Sequence, residues 1–264
     1  PRRSSDLELL AQQRNYIQGL TLVERVCGIC SGVHTLTYCM AVETLAGLRV
    51  PDRARFLRVI VAELERLHSH LLWTGIAAED MGFQTLFMET FALRERVMDV
   101  LELVSGSRVH YAANCIGGVI ADIRDPDTVL VAVRETRQTL ERDLIPVFTE
   151  NLTARARTAR VGVLTKERAL AYGVVGPTAR ASGVEIDVRR DLPYAAYEEL
   201  GFRIVTATEG DVRARLVVRA MEMLESVRLI EEALRKLPEG PTRAETGFPV
   251  VAPGESTART EAPR

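Results

Sequence analysis

Apolar residues recur at helical spacing along most of this chain. The clearest run covers 52–81, where Leu57, Ile60, Val61, Leu64, Leu67 and Leu71 keep one face apolar. Arg55, Arg58, Glu63, Glu65 and Arg66 fall on the remaining faces, which predicts a solvated side. Gly82 supplies a stop. Further helices are predicted over 4–20, opened by Ser5 or Asp6 and carrying Leu7, Leu10 and Ile17, and over 31–48, closed near Gly47 and stopped by Pro51. Others are predicted over 87–104, over 129–152 behind the Asp125-Pro126 start, over 166–172, and over 212–237 with Leu216, Met223, Val227, Ile230 and Leu234 on its face. Strand patterning is sparse, with 161–164 and 202–208 the best candidates. The chain reads as mainly α, a bundle of long helices with a small β portion, and it carries no internal repeat.

Residues 1–264 read as one domain, with 238–264 an irregular Pro/Gly-rich segment that takes five of the eleven prolines. Alone that segment would be a linker; packed, it would need a partner strand, expected in another part of a longer chain. The sequence opens on Pro1 without a methionine and stops at Arg264 after that run, so a fragment of a longer protein is expected.

Composition narrows the function classes. A formal charge of −2, with scattered arginines and Lys166 and Lys236 as the only lysines, offers no basic field for nucleic acid. No apolar run approaches the roughly 20 residues that span a bilayer, and the N-terminus lacks the apolar core of a signal peptide. Four cysteines are too few for a secreted disulfide framework, which points to a reducing, cytoplasmic setting.

Two of those cysteines stand three apart in ERVCGICSGVH, residues 24–34, with His34 four further on. Cys27-Gly28-Ile29-Cys30 reads as a turn feeding the helix that begins near Ser31. Thiols there would meet free helix N–H groups and the positive end of the dipole, Arg25 would add charge, and Gly28 would leave room for backbone to wrap a metal. Incidental packing is one reading of the pair. A structural zinc needs four ligands, and Cys39 and Cys115 are too scattered to form a second knuckle. A redox dithiol would want a βαβ context. Half of a metal site fits the pattern best. His68 and His70, two apart on a helix, point to different faces and cannot chelate one metal together. Asp80 by composition is ordinary helix-end solvation, and His110 carries no signal of its own.

ERVCGICSGVH matches the RxCGxCxxxH pattern of [NiFe] hydrogenase large subunits. ELERLHSHLLWTGIAAEDMGF, SGSRVHYAANCIGGVIADI, GPTARASGVEIDVRRDLPY and ARTEAPR resemble the energy-converting, complex I-related branch, and are similar to the complex I quinone-site (49-kDa) subunit. The resemblance implies the long-helix fold of those subunits and reversible H2 oxidation or proton reduction at a Ni-Fe centre carrying CO and CN ligands. It implies Cys27 as a terminal nickel ligand, Cys30 as a nickel–iron bridge and His34 as a hydrogen-bond donor to the bridging sulfur. Arg264 would overhang the open metal position, Pro263 would line the diatomic-ligand pocket, and Asp80 would orient Arg264. His70 matches a histidine shared with the complex I relatives, and Gly117 and Gly118 would permit close backbone packing. Complex I subunits lack the cysteine pair, so Cys27 and Cys30 favour the hydrogenase branch.

The resemblance also implies partners: an iron–sulfur small subunit, since this chain has no cysteines for clusters of its own, and membrane-arm subunits that hold it on the inner face of the cell membrane. The family's second CxxC and its N-terminal proton-transfer glutamate fall outside this sequence. Residues 1–264 alone are therefore expected to bind no stable NiFe(CN)2CO cluster. Two other classes stay open: a quinone-site subunit with vestigial cysteines, and a zinc-binding scaffold.

Overall fold

Asn15 decides how the chain enters the fold. Its side chain accepts from the N–H groups of Ile17 and Gln18, and Gln18 reaches back to the Asn15 N–H, a reciprocal cap that starts a new helix. The single helix expected over 4–20 is therefore two, α1 (Arg3–Gln12) and α2 (Tyr16–Glu24), in a computed structural model that describes residues 3–245 and 250–263. Helix α3 (Ser31–Ala46) ends on Gly47, α4 (Asp52–Asp80) is followed by Gly82, and α5 (Gln84–Ser105) ends on Gly106. All three glycines have the positive φ such ends require.

A helix does cover most of 129–152, but not unbroken: α6 (Pro126–Thr139) passes through a π turn, Leu140–Leu144, into α7 (Ile145–Glu150). Pro146 has no N–H and crowds the carbonyl four residues back, and the Ile145 N–H bonds Leu140 instead. The short helices α8 (Leu152–Thr158), α9 (Lys166–Ala171), α10 (Gly176–Arg180) and α11 (Val188–Asp191) lead to α12 (Val212–Arg235).

Neither expected strand forms. Segment 161–164 bonds 210–212 through Leu164 N to Gly210 O and Val212 N to Val161 O, while Ala207 donates to Arg180; scattered partners build no ladder. The described sheet is instead β1 (Asn114–Cys115) against β2 (Gly118–Val119), antiparallel. The tail joins it: Gly118 bridges Arg243, and Val119 donates to Thr242 O. The partner for the Pro/Gly-rich tail therefore lies within this chain. A Cβ on Gly118 would sit 2.1 Å from Thr242 O, which is why glycine stands there.

Helix α4 is the axis, about 43 Å long at 1.5 Å per residue. It packs on α5 and α12, with α3 against it and α6 bridging α5 and α12. Every residue from 56 to 71 is buried, so the solvated side expected for Arg58, Glu63, Glu65 and Arg66 is an interior. Among the described residues no helix is long and apolar enough to cross a membrane.

Candidate metal site

The cysteine loop hangs between α2 and α3. The Cys27 sulfur accepts from the N–H groups of Ile29 and Cys30, each at 3.4 Å, and both thiols are half-buried. Gly28 is exposed, and a Cβ there would meet nothing within 4 Å. Its backbone needs no glycine for strain or packing within this chain. His34 follows one turn into α3, its N–H bonded to the Cys30 carbonyl, and burial lowers its pKa so that the imidazole is neutral.

The N-terminus of α3 is not left to the thiols. Cys30 occupies the cap position without a side-chain cap bond, and Glu65 of α4 does the capping from across the interface. Its two carboxylate oxygens accept from Gly32 N at 2.7 Å and Val33 N at 2.9 Å. Burial pushes the Glu65 acid up to about 8 against the lowering effect of those two bonds. The helix-end N–H groups expected to serve the thiols thus serve Glu65, and Cys27 relies on loop N–H groups.

Tyr111 closes the site from the 106–113 loop. His110 and Ala112 on either side of it have left-handed backbones, φ 57° and 46°, and Ala112 is held there by its N–H donating to the buried Glu24 carboxylate at 2.6 Å. Such strain persists only where surroundings enforce it. Arg94 lies 3.4 Å from His68 Nδ1 and can only donate, so His68 Nε2 carries the proton and donates to the Tyr111 oxygen at 2.7 Å. Burial raises the phenol's pKa, and the Glu65, Cys30 and Cys27 charges add to the effect, so the hydroxyl stays protonated.

The tail reaches the same place from the other side. Thr260 bonds Thr37 of α3, and Arg66, the residue after Glu65, donates to Glu261 O at 2.8 Å and Ala262 O at 3.4 Å. The Glu261 carboxylate accepts from Arg180 at 2.7 Å and from Val188 N at 3.0 Å, and its own N–H donates to Tyr194. Pro263 is buried at the end of this path. Arg264 lies outside the described residues.

Behind the tail is a buried ionic network of Arg66, Arg180 and Arg189 with Glu63, Asp187, Glu222 and Glu261. Burial alone would raise Glu63, but Arg189 and Arg66 hold it down to about 2, helped by Ser226 and Tyr197. Burial holds His70 down to about 4, so the ring is neutral and donates Nε2–H to Glu222 at 2.8 Å. Burial opposes ionisation of Glu222, but the His70 bond and Arg180 keep it well below the usual carboxylate range. His68 and His70 thus serve different faces of α4, one toward Tyr111 and one toward α12.

Asp80 goes elsewhere. It is exposed at the last turn of α4, 14 residues and about 21 Å along the axis from Arg66. Its expected partner, Arg264, lies outside the described residues. Cys27, Cys30, His34 and Pro263 stay in the neighbourhood of Glu65 and Arg66. Glu65, Arg66, Tyr111 and Glu261 were not legible as site residues from the sequence. In the sequence this acid–arginine pair on α4 reads as part of a solvated face, so no local signal singled it out. Among the described residues no group of three metal-ligating side chains converges, so the two thiols fit a metal as half of a donor set.

Known proteins resemble this chain along its whole length. The nickel-dependent hydrogenase family matches residues 6–74, and the respiratory-chain NADH dehydrogenase 49 Kd subunit family matches residues 80–262. The carbon monoxide-induced hydrogenase of Rhodospirillum rubrum is 42% identical over 98% of this chain and 72% of its own length. The membrane-bound hydrogenase subunit alpha of Pyrococcus furiosus is 42% identical over 98% of this chain and 64% of its own. A chain in the structure of the membrane-bound sulfane sulfur reductase, an archaeal respiratory membrane complex, superposes with a TM-score of 0.89 at 35% identity, covering 97% of this chain and 71% of that one. This chain therefore spans about two thirds of the length of these relatives.

Proposed function

Because the chain belongs to the family that joins the respiratory-chain NADH dehydrogenase 49 Kd subunit to nickel-dependent hydrogenases, we propose that its full-length protein is the large subunit of an energy-converting [NiFe] hydrogenase. The observation that carries this reading is the Cys27–Cys30 loop: two half-buried thiols in one turn, the first already receiving two backbone N–H groups. Such donors stabilise a thiolate, the form that binds a soft metal.

In this reading Cys27 and Cys30 hold one side of a nickel–iron centre with CO and CN ligands, the other two thiolates coming from chain beyond this sequence. When bound, that centre supplies the two-electron chemistry of H2 splitting or formation. The chain's own residues shape its surroundings. Neutral His34, one turn along α3, offers an N–H toward the Cys30 side. Gly28 leaves the loop's outer side free of a side chain. Pro263, delivered by the Arg66–tail contacts, walls the pocket, and Arg264 follows it as the group that receives or relays a proton. Electrons pass to iron–sulfur clusters in a small partner subunit, and membrane-arm subunits hold the assembly at the inner face of the membrane. The P. furiosus and sulfane sulfur reductase relatives, both named as membrane-bound, support a place in a membrane-bound assembly.

The test is metal analysis and infrared spectroscopy of the full-length protein in its complex. We expect nickel and iron, CO and CN bands, and H2/D2 exchange, all lost in Cys27→Ser. Quinone-dependent activity that survives Cys27→Ser, or one zinc per chain with no nickel, would overturn the reading.

A further inference from the structure

Two consecutive residues of α4 hold the two sides of the site. Glu65 takes the Gly32 and Val33 N–H groups at the start of α3, and Arg66 takes two successive carbonyls of the tail just before Pro263. Neighbours on a helix point about 100° apart, so one turn reaches both α3 and the tail. We propose that Glu65 and Arg66 are positioning residues that preassemble the cysteine loop and the tail up to Pro263 around one rigid turn before any metal arrives. The inference rests on Cys27 and Cys30 being metal ligands.

Four observations fit this role and fit a simple packing role less well. The Glu65 cap comes from another helix, although Cys30 stands where a serine or aspartate could have capped α3 itself. Gly32 is tailored to the arrangement, since a Cβ there would lie 3.2 Å from Glu65 Oε1 and 3.4 Å from the Tyr111 ring. Tyr111 is aimed at that point by two left-handed residues and by His68. On the tail side Glu261 is bound through its N–H, its carbonyl and its carboxylate, so the segment before Pro263 has no slack. Both sides end on α4, and neither contact involves a metal ligand. A pocket built this way has its shape without its metal.

The measurement is amide hydrogen exchange on the full-length protein prepared without nickel, with nickel content read separately after growth in nickel. In the wild type, peptides covering 30–36 and 258–263 should both be protected in the metal-free state. Glu65→Gln, which keeps one acceptor oxygen, should speed exchange at 30–36 by about ten-fold and leave the tail protected. Arg66→Lys, which replaces two separate guanidinium donor nitrogens with a single ammonium, should do the reverse. Nickel content should fall in both, and Glu65→Gln should retain more nickel than Glu65→Ala. Should Arg66→Lys fail to fold, the Glu65 pair still decides. Unprotected segments in the metal-free wild type, unchanged exchange at 30–36 in Glu65→Gln, or full nickel content despite faster exchange would each overturn the proposal. A wild type with the expected exchange pattern but no nickel would instead overturn the hydrogenase reading and leave both anchors standing.

Discussion

Four cysteines share this chain, and burial sorts them. The Cys39 thiol is wholly enclosed in α3, and burial pushes it up to about 12, although Arg58 acts to lower it. Cys27 and Cys30 keep partial exposure beside loop N–H donors. Reactivity follows the thiolate and its access. Iodoacetamide at neutral pH should therefore alkylate Cys27 and Cys30 in the metal-free protein while Cys39 stays unmodified, as peptide mass spectrometry would show. Arg180 illustrates the opposite case, a charge that is buried because it is paired. It contacts Glu222, Glu261 and Asp187 at once, all of them buried. Arg180→Leu leaves those carboxylates short of a partner, and urea unfolding should register a loss of about 3–5 kcal/mol. Arg189 and Arg66 remain, so the network should weaken without dispersing. The buried pairs do not by themselves mark function; what links them to the site is Glu261, three residues from Arg264.

Among elements, the hairpin and the tail depend on each other. β1 and β2 are two residues each, too short to stand alone, and the tail segment 242–244 bridges and bonds to them. Arg58 of α4 ties the hairpin down by donating to Cys115 O and Gly118 O while Glu43 of α3 grips the same guanidinium and accepts from Gly117 N. Gly118→Ala would drive a methyl into Thr242 O and should cost about 1–3 kcal/mol in thermal or urea unfolding. Gly28→Ala meets open space and should change stability by less than about 0.5 kcal/mol, which makes it a clean probe of whether the loop needs that room for a ligand. The sequence placed α3, α4, α5 and α12 well because long periodic runs and their glycine stops are local signals. It missed α8, α10 and α11: α8 and α10 are fixed by packing on α12, and Asn151 and Asp187 cap α8 and α11. It also read extended segments as strands, because period-two patterning cannot tell whether a partner will run alongside.

At the level of the whole molecule, the buried titratable groups set an acid limit. Glu63 at about 2 and the depressed Glu222 both lie below their unfolded value near 4.5, so the stability they contribute is present above about 4.5 and lost as pH falls toward 2. His70, held at about 4 against 6.5, binds its proton more readily when unfolded, so its contribution is lost as pH falls from 6.5 to 4. Glu65 has the opposite sign: raised to about 8, it favours the folded state as pH falls from 8 to 4.5. Between about 4.5 and 6.5 the His70 and Glu65 effects oppose each other, whereas below 4.5 the Glu63, Glu222 and His70 effects all point one way. Urea midpoints should vary little over the upper window and drop steeply below pH 4.5. Glu63→Gln should flatten that drop.

What the sequence determined by itself was the helical class, the long central helix and the cysteine pair with His34, because helical period, stop signals and motif spacing are written in neighbouring residues. It also marked the EAPR end as a feature to be explained. What only the tertiary structure decided was which polar residues face inward. Arg58, Glu63, Glu65 and Arg66 alternate with leucines as residues of a solvated face would, and nothing local says that α3, α5, α12 and the tail will enclose them. The same enclosure leaves Asp80, in the last turn of α4, exposed. It also placed Glu65 and Arg66, adjacent in the chain, against two segments about 30 and 195 residues away. Burial depends on how all the elements close around one another, and that closure carries no short-range signal.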